Sequence, residues 1–407
     1  MNSVGTKSVL ASEGGTPVRS EPFSSWPCYS PQEIDAVVDV LRSGRVNYHT
    51  GEEGKKFEIE FAKACNSAFA VAVMNGTVAL ELALYSLGIG PGDEVIVPSR
   101  TFLATASCVI QRGARPVFAD IDPDSQNITG AAIRAVMSSK TKAIIVVHHA
   151  GWPCEMDEIT TLAAEFKLKI VEDCAQAQGA TYRGRPVGSF GNMAAFSFCQ
   201  DKISSTGGEG GMLVTNSKEL WESAWSFKDH GKSFDALYTR QHPPGFRWLH
   251  ESIGTNWRMT EMQAALGRVQ LRTLAASVTA RGRNAGILSR SLSGVPALRL
   301  TIPPAHVHHA YYKYYFFVRP ERIRQGWSRN RIQEAILAEG IPCIVGGCSE
   351  IYLEKAFRED LRPAKRMDVA KELGETALML QVHPTLTDEE LSQTSEAILK
   401  VMEVASA

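Results

Sequence analysis

The chain has 407 residues, 44% of them hydrophobic and 21% charged, with a formal net charge of −1. That length favours two units in one subunit, and the near-neutral balance gives nucleic acid or an anionic membrane surface no electrostatic reason to bind. No apolar run is long enough to span a bilayer, and eight scattered cysteines without a C-x-x-C pair point to reduced thiols in a cytoplasmic protein.

Residues 1–22 are rich in Ser, Gly, Thr and Glu and read as a loosely attached tail, neither signal peptide nor anchor. A helix comes next, over SPQEIDAVVDVLRSG. Ser30 and Glu33 have capping-box spacing, Pro31 suits the first turn, and Gly44 stops the helix. From about residue 68, short β-branched runs alternate with helical segments: AFAVAV, then NGTVALELALYS, EVIVP, TFLATASCVIQRG, PVFADID, AIIVVHHAG, MDEITTLAAEFK and LKIVEDCAQ. This alternation predicts right-handed βαβ units and a mostly parallel sheet, an α/β fold. FSF and GMLVTN add strands, and TEMQ at 260–263 opens a long helix. After about residue 275 the pattern changes. YYKYYFFV reads as a strand, RNRIQEAILAEG and DEELSQTSEAILKVMEVA as helices, which predicts a smaller α+β unit over 276–407. The larger unit spans 23–275, with 23–55 contributing to the smaller one.

Three common phosphate signatures are absent or out of context, among them G-x-x-x-x-G-K-[ST] and a G-x-G-x-x-G opening a helix. His148, His149, His306, His308 and His309 lack the H-E-x-x-H spacing, so they read as satisfied or solvated side chains, and no metal is expected. What remains is a set of strand ends. NGT at 75–77 stands where an apolar strand gives way to a helix, whose free amides and Thr hydroxyl can cradle a phosphate or simply cap the helix. Asp173 ends KIVED, where a carboxylate can hold a protonated ring nitrogen or cap the segment after it. Lys202 comes after FSFCQD and precedes a loop with four glycines. It is either a surface lysine beside a turn or an amine held in a pocket for imine chemistry. Phosphate cradle, carboxylate and lysine together are what pyridoxal 5′-phosphate requires, and Phe102 in PSRTFLATA offers a flat face for its ring.

The stretches NGTVALELALYSLGIGPGDEVIVPSRTFLATA, PVFADID, VEDCAQAQGATYRGRPVGSFG, AAFSFCQDKISSTGGEGGMLVTN and GTNWRMTEMQAALGRVQL resemble the DegT/DnrJ/EryC1/StrS family. These are pyridoxal phosphate-dependent sugar aminotransferases of the aspartate-aminotransferase fold, fold type I. The resemblance runs from about residue 25 to about 383. It implies Lys202 as the Schiff-base lysine and general base, Asp173 on the pyridine nitrogen and Gln176 near the ring hydroxyl. It also places Gly76, Thr77 and Ser197 on the phosphate, Phe102 on the ring and Asn256 on the phosphate of a neighbouring subunit's cofactor. That last role implies a homodimer with shared sites.

The implied reaction takes an amino group, with L-glutamate as donor, through pyridoxamine 5′-phosphate to the ketone of a nucleotide-linked sugar. The product is an amino sugar for a polysaccharide, lipopolysaccharide or natural product. Gln178 stands where the family usually has histidine, a departure that bears on substrate or ring contacts. FCQD replaces the commoner tyrosine–proline segment before the lysine. The alternatives are a dehydratase or eliminase using the same cofactor, which in one branch of the family has histidine for the lysine, and a non-catalytic regulatory member. Tyr48, Lys228, His230 and Tyr311 are candidates for the sugar pocket or for structural roles.

Overall fold

A computed structural model describes residues 9–407. Twelve α-helices, five short 3-10 helices and thirteen strands occur among the described residues. After the helices α1 (Pro31–Ser43) and α2 (Glu53–Ala64), strands and helices alternate: β1 (Phe69–Val73), α3 (Gly76–Ser86), β2 (Glu94–Pro98), α4 (Ala104–Gln111), β3 (Arg115–Ala119), α5 (Gly130–Val136), β4 (Thr141–Val147), α6 (Met156–Phe166) and β5 (Lys169–Asp173). A small ribbon, β6 (Thr181–Tyr182) and β7 (Arg185–Pro186), leads to β8 (Met193–Ser197) and β9 (Gly211–Thr215). The helices α7 (Lys218–Lys228) and α8 (Phe234–Tyr238) precede the longest helix, α9 (Glu261–Leu292). The C-terminal part holds β10 (Leu298–Leu300), β11 (Val307–His308), β12 (Tyr314–Val318), α10 (Arg329–Ala338), α11 (Asp368–Thr376), β13 (Ala377–Leu380) and α12 (Asp388–Ala405).

The central sheet has seven strands in the order β1-β9-β8-β5-β4-β2-β3. Only β9 runs against the others, pairing antiparallel with both β1 and β8. Alternate side chains point to opposite faces of a strand, and both faces here are covered. Val95, Val97, Ile145, Val171 and Ala195 join the core under α3, α4 and α7. Their neighbours Ile96, Ile144, Val146, Ile170, Ala194 and Phe196 fill two clusters on the other face. A sheet buried on both sides needs apolar residues at nearly every position, which is why these strands read as continuous apolar runs.

A second sheet, β10-β12-β13, is wholly antiparallel and packs with α10, α12 and the last turns of α9. The capping boxes at Ser30 and Thr260 form as their sequences predict, and one more, at Thr387, opens α12. Residues 9–22 are not the loose tail their composition suggests. Leu10 is buried in the core of the second sheet, and the amides of Ala11 and Val18 donate to the Glu339 carboxylate at 2.9 and 3.1 Å. The remainder of that expectation, residues 1–8, lies outside the described residues. The boundary expected near residue 275 falls inside α9, which runs on without a break for 32 residues. No helix among the described residues is long and apolar enough to cross a membrane, and all eight cysteines are free thiols.

Candidate active site

Strand direction decides where the chemistry gathers. Because β1, β2, β4, β5 and β8 are mutually aligned, their carboxyl ends share one edge of the sheet, and the start of β9 joins them there. Open α/β sheets bind ligands at that edge. It carries Asn75–Thr77 after β1, Phe102 after β2, His148 after β4, Asp173 at the end of β5, Ser197 at the end of β8 and Lys202 in the next loop.

Residue parity places Asp173 on the same face as Val171, toward α4. There its Oδ2 accepts from the Thr105 hydroxyl at 2.9 Å and its Oδ1 from the Ala175 amide at 3.1 Å. Burial pushes the Asp173 carboxyl above its ordinary value. The Ala175 and Thr105 hydrogen bonds and the charges of Lys202 and His148 pull the other way. A carboxylate buried at such a net cost gains from a further cationic or N–H partner.

Lys202 does not end a strand, as the run FSFCQDK suggests. It lies in a turn five positions beyond β8, closed by its amide donating to the Cys199 carbonyl at 3.0 Å. Its amine donates to the Tyr312 hydroxyl at 3.2 Å and stands 3.5 Å from Asp201 Oδ1. Burial alone would raise the Asp201 carboxyl, but Lys202, the Tyr312 hydroxyl and Lys313 together hold it below its usual range. From the N-terminal segment, the Trp26 indole donates to the Lys202 carbonyl at 3.1 Å and the Tyr29 hydroxyl to Ser205 Oγ at 3.3 Å. The four glycines after the lysine let the loop fold back tightly; a Cβ at Gly210 would fall 2.0 Å from Thr206 Oγ1.

The phosphate candidates meet as well. Asn75 caps α3 through its side chain, which accepts from the Val78 amide at 3.0 Å, leaving the first amides of the helix free. Gly76 is pressed against the end of β8: a Cβ there would stand 2.6 Å from the Ser197 Cβ. Thr77, beside it, is exposed. Phe102 projects from the same edge with 70% of its surface exposed. Gln176 is half-buried, and its Oε1 accepts from the Ala150 amide at 2.8 Å. Asn256 is exposed and bonded within its own turn, two residues before Arg258 bridges to Val73 at the end of β1.

Other candidates fall elsewhere. Lys228 is fully buried, with its amine 2.8 Å from Glu58 Oε1, and Tyr48 donates to Glu58 Oε2 at 2.9 Å. Both close a network in the core instead of lining a sugar pocket. His148 is buried against Glu172 Oε2 at 3.1 Å and accepts from the Cys154 amide at 3.0 Å. His148, Glu172 and Cys174 form a tight trio, yet the Glu172 carboxylate already accepts amides from Gly188, Phe190 and Gly191, so the trio reads as a structural tie. Sequence reading missed Tyr312, Thr105 and Asp201. Thr105, in the quoted FLATA run, carried a signal: it lies one helical turn after Thr101, and their hydroxyls are 2.7 Å apart.

Known proteins resemble this chain along most of its length. The UDP-N-acetyl-3-dehydro-α-D-glucosamine 3-aminotransferase of Acidithiobacillus ferrooxidans is 36% identical over 352 residues, 86% of this chain and 89% of that protein. The GDP-perosamine synthase of Escherichia coli O157:H7 is 33% identical over 376 residues, covering 91% and 97%. Among solved structures, the aminotransferase from Psychrobacter cryohalolentis superposes with a TM-score of 0.91 at 52% identity, over 93% of this chain and 98% of that one. The profile of one family matches residues 27–399. The chain belongs to the DegT/DnrJ/EryC1/StrS aminotransferase family.

Proposed function

We propose that this chain is a pyridoxal 5′-phosphate-dependent aminotransferase that moves an amino group from an amino acid, L-glutamate in the first instance, to the keto group of a nucleotide-linked sugar. One observation carries the reading: Lys202, Asp173 and the Gly76–Ser197 contact converge on one edge of the sheet, in a chain of this family. The relatives' own substrates, a UDP-linked and a GDP-linked sugar, support the substrate class and differ in the nucleotide.

The residues fit the cofactor. The free amides at the start of α3, with Thr77 and Ser197, would hold its phosphate, and the bare backbone at Gly76 lets the helix start pack directly against Ser197. Asp173, buried and short of a cationic partner, would hold the ring nitrogen's proton, while Phe102 would cover one face and Gln176 the ring hydroxyl. When bound, the cofactor supplies an aldehyde for an amine and a ring that takes up the electrons of a carbon losing its proton. Lys202 then acts as the base that takes and returns the proton on the donor's α-carbon. Before and after that step, Tyr312 and Asp201 receive its free amine.

Asn256 belongs to the same proposal, reaching the phosphate in a second copy of the chain, which makes the enzyme a homodimer with shared sites. So does the division into a cofactor-binding unit, residues 23–275, and a smaller unit, 276–407, with α9 spanning both. Eight free thiols fit the reducing cytoplasm. The test is an absorbance spectrum of purified protein with pyridoxal phosphate, before and after L-glutamate. The band of lysine-bound cofactor should give way to that of the amine form. A bound cofactor indifferent to every amino donor would favour elimination chemistry instead, and product analysis without a donor would establish it.

A further inference from the structure

One side chain joins the strand end that carries Asp173 to the loop that carries Lys202. Gln178 comes just after a tight turn built directly on β5, in which the Ala177 amide donates to the Cys174 carbonyl at 3.0 Å. It is 1% exposed. Its amide nitrogen donates to the Ser197 carbonyl at the end of β8, and its amide oxygen accepts from the Ser204 N–H at 2.7 Å. Those two backbone groups bracket Lys202. Ser197 is also the residue pressed against Gly76, so the same side chain reaches the phosphate cradle.

The fit is chemically exacting. A carbonyl needs a donor and an N–H needs an acceptor, and a primary amide supplies one of each in a single orientation. Rotated by half a turn, it would set N–H against N–H and C=O against C=O. With both ends engaged and almost no surface exposed, Gln178 is not free to touch a substrate or the face of a ring, which is where its departure from the family pattern first pointed.

We propose that Gln178 is the positioning residue that fixes the Lys202 loop relative to Asp173. The proposal rests on the reading of Lys202 as the cofactor lysine. A misplacement of about 1 Å in such a constellation costs roughly 100-fold in rate, so a strut with this reach controls catalysis without touching the reacting atoms.

Three variants separate positioning from simple packing. Gln178→Leu keeps the bulk and removes both bonds. Gln178→His keeps one donor and one acceptor nitrogen. Gln178→Glu presents an acceptor to the Ser197 carbonyl until it takes up a proton. Three readouts are needed: hydrogen exchange of the peptide spanning 199–206 in cofactor-free protein, titration with pyridoxal phosphate, and steady-state kinetics with L-glutamate. The Leu variant should exchange the Ser204 amide faster, bind pyridoxal phosphate more weakly and lose about 10- to 100-fold in kcat with KM nearly unchanged. The His variant should keep most of the rate, and the Glu variant should gain rate relative to wild type as pH falls. Faster exchange in the Leu variant with unchanged kcat and cofactor affinity would overturn the proposal, as would a Glu variant that is fully active at high pH. Failure of wild-type protein to form a lysine-bound cofactor would instead overturn the parent reading, whatever the variants do.

Discussion

The hydroxyl of Tyr312 lies 3.2 Å from the amine of Lys202, although 110 positions separate them in the chain. Tyr312 in turn donates to Asp201, the residue immediately before the lysine. Burial pushes the Tyr312 phenol above its ordinary value, and the neighbouring Asp201 charge pushes it further, so it stays protonated as a donor to Asp201 and accepts from the lysine. Tyr312→Phe removes this resting place while keeping the ring. A single hydrogen bond is worth about 1 kcal/mol, so kcat should fall about 5- to 10-fold with the fold intact by circular dichroism. An unchanged kcat would leave Tyr312 with a packing role only.

Lys202→Ala should leave less than about one part in 1000 of the turnover, because it removes the amine that the proposed mechanism uses as its base. Asp173→Asn should retain a weak activity, down about 100- to 1000-fold, with thermal stability near wild type or above it, since burial disfavours the carboxylate. Steady-state kinetics beside a melting curve checks both. Normal turnover by either purified variant would sink the mechanism.

Shared sites can be tested by complementation. Asn256→Ala and Lys202→Ala are each expected to be impaired as homodimers. Mixed and re-formed, they should regain activity up to about one quarter of wild type, because one site in a hybrid has both residues intact and half of the dimers are hybrids. That share is a counting estimate for freely exchanging dimers. Hybrids demonstrated by tagged purification yet still inactive would argue for sites contained within one chain.

Lys228 and Glu58 make a different kind of prediction. Their ion pair at 2.8 Å is buried beside Tyr48, and the Lys228 amine also donates to the Ala72 carbonyl at 3.2 Å. Removing one partner leaves an uncompensated charge, so Lys228→Met should cost about 3–5 kcal/mol of stability in denaturant unfolding. A variant with wild-type stability and a raised KM for the sugar would restore Lys228 to the substrate pocket.

Lys313 gives a pH signature. Burial lowers its amine to about 8; the Arg281 and Lys202 charges add to this and Asp201 opposes it. A lysine in the unfolded chain titrates near 10.4. Between about 8 and 10.4 the unfolded chain therefore binds more protons, and this group makes stability rise with pH, whereas below about 8 its penalty is full and constant. The unfolding free energy of wild type minus that of Lys313→Met should climb across that interval. A flat difference would show that Lys313 titrates normally.

Helix starts were legible because a capping box is local: Ser30 with Glu33 and Thr260 with Gln263 involve residues three apart. Asp173 was legible because an acid ending an apolar run has few places to go but a strand end. The direction of β9 was less so. GMLVT reads the same either way, and the segment between β8 and β9 is long enough for a parallel crossover, so only its lack of a helical pattern argues for an antiparallel return. Leu10 was hidden by the polar residues around it, which dominate a composition count. Which tyrosine of YYKYY meets Lys202 depends on how the second sheet sits against the first, and no local pattern encodes that. Gln178 stood out as a departure in sequence, yet its partners Ser197 and Ser204 become visible only when β5 and β8 lie side by side.

The helix α9 begins at the edge where the candidate residues gather. Gln263 donates to the Glu209 carbonyl at 2.8 Å, and the Glu261 carboxylate accepts the amides of Glu53 and Gly54. At its far end, Ala285, Leu288 and Leu292 are sealed into the core of the second sheet, about 36 to 47 Å from Glu261 along the axis at the α-helical rise. Between the two, Arg281 lies over Trp26 and donates to the Tyr312 carbonyl at 3.4 Å. The two sheets therefore hang on a common beam with no joint in it. Any motion that admits a bulky sugar has to bend that beam or slide the loops at its ends, because α9 offers no hinge where the two sheets are joined.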